Sequence, residues 1–364
     1  MNTKDSLTGT MGGQTAENLF RKENSAPSKA QPLVSVVTPF YNTDPFLAEC
    51  IESVLAQSYG CWEYILVNNQ STDNSRAICQ RYAAADSRIR LIDTPEHYPQ
   101  VENFERALKH ISPQSKYTKM VLADDWLFPD CLERMVALAE ANPSVGIVSA
   151  YRLLGTEVIG GGLPYSSTVV PGREAARLML LHGYYLTGSP STILVRSDFV
   201  RSLPRFYPGE WIHDDTEACF QLLAESDLGF IHQVLTFSRA DNDSVLRRLD
   251  GLNPGLLRKF LFAKQHGSQF LDPSESAQHL QAVTNDYAQF LAASAFELKG
   301  SRFWDFHRRG LQSAGYTFQS VGLARHILIE LLDILFNPKK TVGRLSRAIK
   351  ARRDRIAREA QTNG

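Results

Sequence analysis

Two adjacent carboxylates, Asp124 and Asp125, stand at the end of the apolar run Met120–Ala123. A buried strand that ends on acidic residues delivers them to the C-terminal edge of a sheet, where open α/β sheets bind their ligands. Paired carboxylates at such an edge suit a hard divalent cation, because Mg²⁺ and Mn²⁺ accept carboxylate ligands together with phosphate oxygens. The sequence therefore predicts a divalent-cation site here and leaves the choice between the two metals open.

A second acidic group, Asp214, Asp215 and Glu217, opens a segment in which Ala218 and Leu222 recur at helical spacing. Acidic side chains in the first turn of a helix are stabilised by the helix dipole, so capping alone would account for them. The residue types by themselves do not decide between capping and a functional role.

Short apolar segments alternate with helical patterns along the first 150 residues. The predicted strands are Leu33–Thr38, Trp62–Val67, Arg88–Ile92, Tyr117–Leu122 and Val145–Ala150. Between them, apolar residues recur at helical spacing after Asp44-Pro45, around Ile78 and Tyr82, from Val101 to Ile111, and from Asp130 to Ala141. This alternation predicts an α/β fold with a mostly parallel sheet, right-handed crossovers and flanking helices.

The middle of the chain is less regular. Gly160–Gly162 does not form a G-x-G-x-x-G between a strand and a helix, so it predicts a flexible turn and not a dinucleotide-binding loop. Further predicted elements are a helix at Arg173–Leu181, a strand at Thr192–Val195, a short helix at Ser197–Leu203, and strands at Gly229–Ile231 and Leu235–Phe237. From about Pro254 helical periodicity replaces strand patterns. We expect a polar, disordered leader at 1–30, a catalytic domain at 31–253 and a helical C-terminal region at 254–364.

The composition of the 364 residues, 43% hydrophobic and 21% charged, is typical of a soluble globular protein. Basic and acidic residues both number 39, so net charge gives no indication of a nucleic-acid partner. The five cysteines are widely spaced and form no C-x-x-C pair, which argues against a zinc site or a disulfide framework and favours the cytoplasm. The sequence contains no apolar run of 18 residues, so we expect no membrane span.

Four short motifs together resemble one known family. They are Pro39–Asn42, Val67–Asp73, Ala123–Asp125 and Asp214–Glu217. Their order and intervals are similar to those of family-2 glycosyltransferases of the GT-A fold, and the resemblance covers about Val34 to Ser244. It implies a GT-A-type sheet with a Rossmann-like nucleotide-binding half, and a hexosyltransferase-like enzyme.

The activity that the resemblance implies is inverting transfer of a sugar from a nucleoside diphosphate sugar to an acceptor hydroxyl. Asp125 would bind the cation, as part of a DxD-like motif, and Asp124 would contact the ribose or the metal shell. The diphosphate leaving group needs a cation to offset its developing charge. Asp215 would be the general base, which need only take the proton as the hydroxyl attacks. Arg239 resembles the family's late arginine and would stabilise the leaving group.

The implied nucleotide pocket resembles the family's in position but not in letters. The residues that would line it are Thr38, Pro39, Tyr41, Asn42, Asn68, Asn69 and Asp73. The family's usual Asp-Asp-Gly-Ser-x-Asp is here Asn68-Asn69-Gln70-Ser71-Thr72-Asp73, and Asp214 replaces the usual glutamate. An asparagine amide can still read a pyrimidine edge, whereas an Asn-rich turn would account for the same letters. Gly188–Ser191 would line the acceptor side, and Trp126 either shapes the sugar pocket or packs beneath a loop.

The segment 338–359 holds nine Lys or Arg residues against Asp354 and Glu359, and its apolar residues recur at helical intervals. Such a basic amphipathic helix could lie on an anionic membrane and bring the enzyme to a glycan or lipid-linked acceptor. A solvated helix packed on its own domain would have the same pattern.

Two other functions are consistent with a similar sheet. A non-catalytic binding or scaffold relative would explain the substitutions Asn68 and Asn69, but the presence of Asp124, Asp125 and Asp215 argues against it. A nucleotidyltransferase would need a glycine-rich phosphate loop after the first strand, and Pro39–Pro45 contains no glycine and no basic residue. We therefore expect an active glycosyltransferase of cell-surface polysaccharide or glycolipid synthesis.

Overall fold

A computed structural model describes residues 31–208, 214–240, 249, 251–297 and 299–337. The predicted leader at 1–30, the basic segment 338–359, His213 and the segment 241–248 lie outside the described residues.

The first half of the fold is a parallel sheet built from βα units. Its elements are β1 (Val34–Phe40), α1 (Asp44–Leu55), β2 (Trp62–Asn68), α2 (Ser75–Ala85), β3 (Ile89–Asp93), α3 (Gln100–Leu108) and β4 (Tyr117–Met120). The strands lie in the order β3-β2-β1-β4, and every neighbouring pair is parallel. Strands β1 and β4 are buried along their whole length and β2 along nearly all of it, because helices cover both faces of a parallel sheet. The predicted alternation is confirmed.

The second half of the sheet mixes strand directions. Its elements are β5 (Trp126–Leu127), α4 (Cys131–Ala141), β6 (Val145–Leu154), β7 (Glu157–Ile159), β8 (Val169–Val170), α5 (Gly172–His182), β9 (Leu194–Arg196), α6 (Ser197–Ser202), α7 (Asp214–Leu223) and β10 (Asp227–Ser238). The sheet continues as β4-β9-β6-β10-β5, with β7 on β6 and β8 on β10. β9 is antiparallel to both its neighbours, and β10 is parallel to β6.

Strand β1 runs two residues beyond its predicted end and passes through Pro39. Its pairing with β4 stops at Val37, opposite Met120. The next bond of that ladder would run from the Pro39 nitrogen to the Val121 carbonyl, and proline has no N–H to donate. The hydroxyl of Thr38 donates to this carbonyl instead, at 2.8 Å. The backbone ladder between β1 and β4 therefore ends at this point, and a side-chain hydrogen bond takes its place.

The two strands predicted at Gly229–Ile231 and Leu235–Phe237 are one strand, β10. Its register against β6 shifts between Ile231 and Val234, and again between Val234 and Thr236. Such bulges insert unpaired residues without ending the strand, and they bend it. The polar residues in between look like a loop in the sequence for this reason.

The predicted helical C-terminal region is confirmed over the described residues. It comprises α8 (Pro254–Phe270), α9 (Pro273–Phe296), α10 (Ser301–Ser313) and α11 (Leu323–Phe336). These helices enclose an apolar core of their own, whereas Phe270 at the end of α8 packs into the core beneath the sheet. Among the described helices, none is long and apolar enough to cross a membrane.

Candidate active site

The paired acids lie in a tight turn directly after β4. The strand ends at Met120, two residues before its predicted end, and the backbone N–H of Asp125 donates to the carbonyl of Leu122 at 2.9 Å. Trp126 then opens β5 and pairs with Phe237 on β10. The turn therefore places Asp124 and Asp125 at the C-terminal end of β4.

Ser191 braces this turn. It lies in a 3₁₀ turn, Pro190–Thr192, and its hydroxyl donates to Oδ2 of Asp125. The Ser191 hydroxyl oxygen also accepts the backbone N–H of Leu122 at 3.0 Å. Behind it, the fully buried Lys119 donates from Nζ to the carbonyl oxygen of Ser191 at 2.6 Å. A chain of hydrogen bonds thus runs from a buried lysine, through Ser191, to the Asp125 carboxylate.

The Asp125 carboxylate lies in an environment that disfavours its charged form. Burial, and after it the negative charge of Asp124, raise its pKa to about 7. A divalent cation would offset both effects, because it replaces lost hydration and neutralises the neighbouring charge. No group of three or more His, Cys, Asp or Glu side chains gathers as a metal site within the described ranges. The remaining ligands would therefore be phosphate oxygens and water, as is usual for Mg²⁺.

Asp215 is the second residue of α7. Its Oδ1 accepts the backbone N–H of Thr216 at 2.8 Å, and the hydroxyl of Tyr185 donates to its Oδ2 at 3.5 Å. Burial raises the pKa of this carboxyl, and the hydrogen bond from Thr216 and the charges of Arg258 and Arg152 oppose that rise. The contact with Thr216 belongs to the helix terminus, whereas the tyrosine comes from another part of the chain.

Arg152 links the two acidic sites. It projects from β6, is only 9% exposed, and its guanidinium lies 5.5 Å from the ring centroid of Tyr185. Its positive charge opposes the rise in pKa that burial imposes on both Asp125 and Asp215. Its Nε has no hydrogen-bond partner among the residues that the structure describes. The pKa values of both aspartates are therefore affected by the charge of the same arginine.

The loops after β1 and β2 are tied together. The side chain of Asn42, at a φ of 51°, accepts the N–H of Thr72 at 2.8 Å and donates to its hydroxyl. Asp73 accepts the backbone N–H groups of Ser75 and Asp44 at 2.9 and 3.1 Å. Burial would raise the pKa of Asp73, but these hydrogen bonds hold it below the ordinary value. Asn42 and Asp73 thus fix the shape of the expected nucleotide pocket.

The two asparagines after β2 are also engaged. Asn68 donates to Asp93 at 2.8 Å and accepts the N–H of Ser71. The amide of Asn69 makes paired bonds with the backbone of Tyr98, donating to its carbonyl at 2.8 Å and accepting its N–H at 2.9 Å. Both side chains are almost fully buried. Asn69 therefore stabilises the loop that follows β3, and its hydrogen-bonding groups are already used within the protein.

The residues expected to flank the base separate into two groups. Thr38 and Pro39 are buried within β1. The Thr38 hydroxyl is hydrogen-bonded to the hydroxyl of Tyr64 and to the backbone carbonyl of Val121. Thr38 therefore lies in the core, whereas we expected it to flank the base. Tyr41 is 44% exposed and packs edge-on against His97, with ring centroids 4.5 Å apart. This aromatic pair, at the rim of the tied loops, offers a surface on which a base could stack.

Arg239 and Trp126 lie near the acidic turn in packed positions. Arg239 forms an ion pair with Glu49 on α1, and its guanidinium lies 4.6 Å from the ring centroid of Phe46. Trp126 packs edge-on against Phe237, with ring centroids 5.0 Å apart. This contact supports the interpretation that Trp126 packs within the protein.

Several residues of the site do not appear among the sequence predictions. They are Lys119, Arg152, Tyr185, His97 and Tyr98. One signal was available for Lys119, since a charged residue interrupts the otherwise apolar end of β4. The others depend on contacts between distant segments, for which the sequence contains no local pattern.

Comparison with known proteins gives consistent results at the level of sequence. The profile of the family described as glycosyl transferase family 2 matches residues 35–193. The Bacillus subtilis (strain 168) protein EpsE, provisionally named a glycosyltransferase, is 31% identical over 222 residues, which are 60% of this chain and 76% of EpsE. TuaG of the same strain, provisionally named a teichuronic acid biosynthesis glycosyltransferase, is 32% identical over 124 residues. That match spans 34% of this chain and 48% of TuaG.

Solved structures give the same fold at low sequence identity. S. aureus TarS 1-349 in complex with UDP-GlcNAc aligns with a TM-score of 0.57 and 15% identity over 88% of this chain and 91% of that one. The mannosyltransferase PcManGT from Pyrobaculum calidifontis, in complex with GDP-Man and Mn²⁺, aligns with a TM-score of 0.52 and 17% identity over 88% and 92%. The architecture described above is therefore shared with these two structures.

Proposed function

Because the chain belongs to glycosyl transferase family 2 and is a glycosyltransferase, we propose that it transfers a sugar, with inversion, from a nucleoside diphosphate sugar to an acceptor hydroxyl. The observation that supports this mechanism is a pair of carboxylates, Asp125 and Asp215, whose pKa values are both raised by burial, a rise that the charge of Arg152 opposes in both. One carboxylate serves the donor diphosphate, and the other faces the acceptor.

Asp125 binds the divalent cation in this proposal, with Asp124 beside it. A bound Mg²⁺ or Mn²⁺ supplies positive charge to the diphosphate as it leaves. The chain's own contribution is orientation: the Ser191 hydroxyl occupies one carboxylate oxygen and leaves the other for the cation. The complex of PcManGT with GDP-Man and Mn²⁺ supports a cation at a site of this fold.

Asp215 acts as the general base. The acceptor oxygen attacks the anomeric carbon, the bond from that carbon to the phosphate oxygen breaks, and Asp215 takes the acceptor proton. A single base on the acceptor side is sufficient for inversion, since no covalent intermediate forms. Burial raises the pKa of Asp215, which makes it a stronger base than an exposed aspartate. Tyr185 holds one of its carboxylate oxygens in place.

The nucleotide lies over the tied loops after β1 and β2. Tyr41 and His97 provide the stacking surface, and Asn42, Asn68, Asn69 and Asp73 hold the loops that shape it. Arg239 stabilises the charge on the leaving diphosphate; its Nε has no hydrogen-bond partner within the described part of the chain. UDP and GDP donors are both candidates, because the solved complexes of this fold contain UDP-GlcNAc and GDP-Man.

The acceptor belongs to a cell-surface polysaccharide or glycolipid precursor. The likeness to TuaG, named for teichuronic acid biosynthesis, supports this part of the proposal. We also propose that the enzyme acts at the cytoplasmic face of a membrane, with the basic segment 338–359 in peripheral contact with the lipids. The three aspartates are all present, so we do not propose a non-catalytic role.

A thermal-shift panel tests the proposal. UDP, GDP, CDP and dTDP, and sugars linked to each, are added with and without Mn²⁺. A true donor raises the melting temperature by mass action, and more so with Mn²⁺ present. The donor that binds is then incubated with enzyme to identify the product. Release of nucleoside diphosphate supports a glycosyltransferase, whereas release of pyrophosphate, or the absence of any shift across the panel, contradicts the proposal.

A further inference from the structure

Helix α11 exposes most of its large apolar side chains. They are Leu328, Ile329, Leu331, Leu332, Leu335 and Phe336, with exposed fractions between 41% and 79%. At about 100° per residue, these six positions fall within an arc of roughly 160° on the helix surface. We refer to these six residues as the apolar face of α11.

The opposite side of α11 faces the protein. Glu330 is centred on that side and is only 8% exposed, and the helix packs against α9. An ordinary surface helix does the reverse, because its apolar stripe faces the core and its charged residues face water. A contiguous exposed apolar surface of this kind usually marks an interaction site.

The chain that follows α11 indicates the partner. The segment 338–359 starts two residues after Phe336 and contains nine basic and two acidic residues. An apolar helix face next to a basic segment has the two features by which peripheral proteins bind an anionic bilayer. The apolar side chains enter the boundary between head groups and acyl chains, and the basic residues meet the lipid phosphates.

A second copy of the chain fits this surface less well. In a two-fold symmetric dimer formed through α11, the same surface of each copy meets its counterpart. The basic segments that leave both helices would then lie close together and repel each other. We therefore propose that the apolar face of α11 docks on an anionic lipid surface and places the enzyme at the membrane. The biological purpose of this docking rests on the proposed lipid-linked acceptor, but docking does not itself require catalysis.

Co-sedimentation of the full-length protein with lipid vesicles tests the inference. The vesicles are phosphatidylcholine alone, or phosphatidylcholine with 30 mol% phosphatidylglycerol as about one anionic lipid in three. The test variant is the double substitution Leu332→Gln and Leu335→Gln. The matched control is Val158→Gln, which also makes an exposed apolar residue polar but lies on β7. All three substituted residues are exposed, so the melting temperatures of the variants should agree with that of wild type and show that the variants fold.

We expect wild type and Val158→Gln to bind the anionic vesicles and to be partly released by salt. The double variant should lose at least about tenfold in partitioning, because two leucines no longer bury their side chains. Equal binding by the double variant, or no binding by wild type, would overturn the inference. So would a concentration-dependent dimer in solution that the double variant abolishes, since that would assign the face to self-association. Because no donor is present, these results are independent of the proposed catalytic activity.

Discussion

The hydroxyl of Ser191 donates a hydrogen bond to the Asp125 carboxylate, although the two residues are 66 positions apart in the sequence. The serine is in turn held by its carbonyl oxygen, which accepts a hydrogen bond from buried Lys119. Both hydrogen bonds involve side chains and are not part of a helix or of a strand ladder. The orientation of the acidic turn therefore depends on Lys119, whose side chain has no contact with solvent.

Replacing this lysine should separate metal binding from folding. In Lys119→Met the methionine fills the volume, the desolvation cost of a buried amine is relieved, and the bond to Ser191 is lost. These effects oppose each other, so the melting temperature should change by only a few degrees. The apparent affinity for Mn²⁺, measured from activity against Mn²⁺ concentration, should fall about tenfold or more, as for groups that orient metal ligands. Lys116→Met, at an exposed position on the same segment, is the control; an unchanged Mn²⁺ dependence in Lys119→Met would contradict the role.

Asp125→Asn should abolish metal-dependent transfer and leave the fold intact. The amide oxygen can still accept the Ser191 hydroxyl, but a neutral side chain binds a divalent cation poorly. We expect transfer to fall by roughly 100-fold or more. Burial raises the pKa of the native carboxyl to about 7, so its ionised form is costly and the variant should melt no lower than wild type at pH 8. Nucleoside diphosphate release and thermal denaturation measure the two effects, and retained activity would rule out the metal role.

Asp215→Asn should collapse turnover while donor binding persists. Loss of a general base typically lowers kcat by about 10²- to 10⁴-fold. Thermal shift by donor with Mn²⁺ should stay near the wild-type value, because Asp215 faces the acceptor. In wild type, the raised pKa of Asp215 means that kcat should fall with decreasing pH at a higher pH than an exposed aspartate would give. If the variant lost donor binding and turnover together, the assignment of Asp215 to the acceptor side would fail.

Tyr41→Ala should weaken donor binding with little effect on turnover. The tyrosine is exposed at the rim of the tied loops beside His97, and stacking of a base on an aromatic ring contributes about 1–3 kcal/mol. We expect KM for the donor to rise about tenfold and kcat to stay within about twofold of wild type. Tyr165→Ala removes another exposed tyrosine, 83% exposed against 44% for Tyr41, and should leave both constants unchanged. A KM unaffected by Tyr41→Ala would place the base on another surface.

The helical C-terminal region should lose stability in mild acid through His307. This histidine is fully buried, between the Tyr287 hydroxyl and the Leu252 carbonyl, and burial lowers its pKa to about 4. Between that pH and the ordinary value of 6.5 the unfolded chain binds a proton that the native protein excludes. The contribution of neutral His307 to the free energy of unfolding is therefore complete above about pH 6.5. It is lost as pH falls toward 4, by at most roughly 3 kcal/mol.

Denaturant unfolding at pH 5 and pH 7.5 measures this effect. The variant His307→Phe, which keeps an aromatic ring in the aromatic cluster, should show a smaller difference in unfolding free energy between the two pH values than wild type. Equal pH dependence in both proteins would show that other groups are responsible.

The sequence by itself determined the parallel half of the sheet and the place of the acidic turn. Strands β1 to β4 are apolar runs separated by helical periodicity, and both signals are local, since each depends on residues a few positions apart. The turn after β4 follows directly, because a buried strand that ends on Asp124 and Asp125 must present them at a sheet edge. The family could be recognised for the same reason, because the order of short motifs can be read from the sequence without knowing which residues are in contact.

The tertiary structure alone decided what surrounds those residues. Val121 bonds to Thr38, Asn69 to Tyr98, and Ser191 to Asp125, and each partner comes from a different segment. The charge of Arg152 acts on the pKa of both Asp125 and Asp215. Arg152 lies on β6 because that strand runs on to Leu154, and no residue near it in sequence signals that length. Hydrogen bonds and charges act over distances in space, so the partners of a buried polar group depend on which strands pair and in what register. That pairing is a property of the folded chain as a whole.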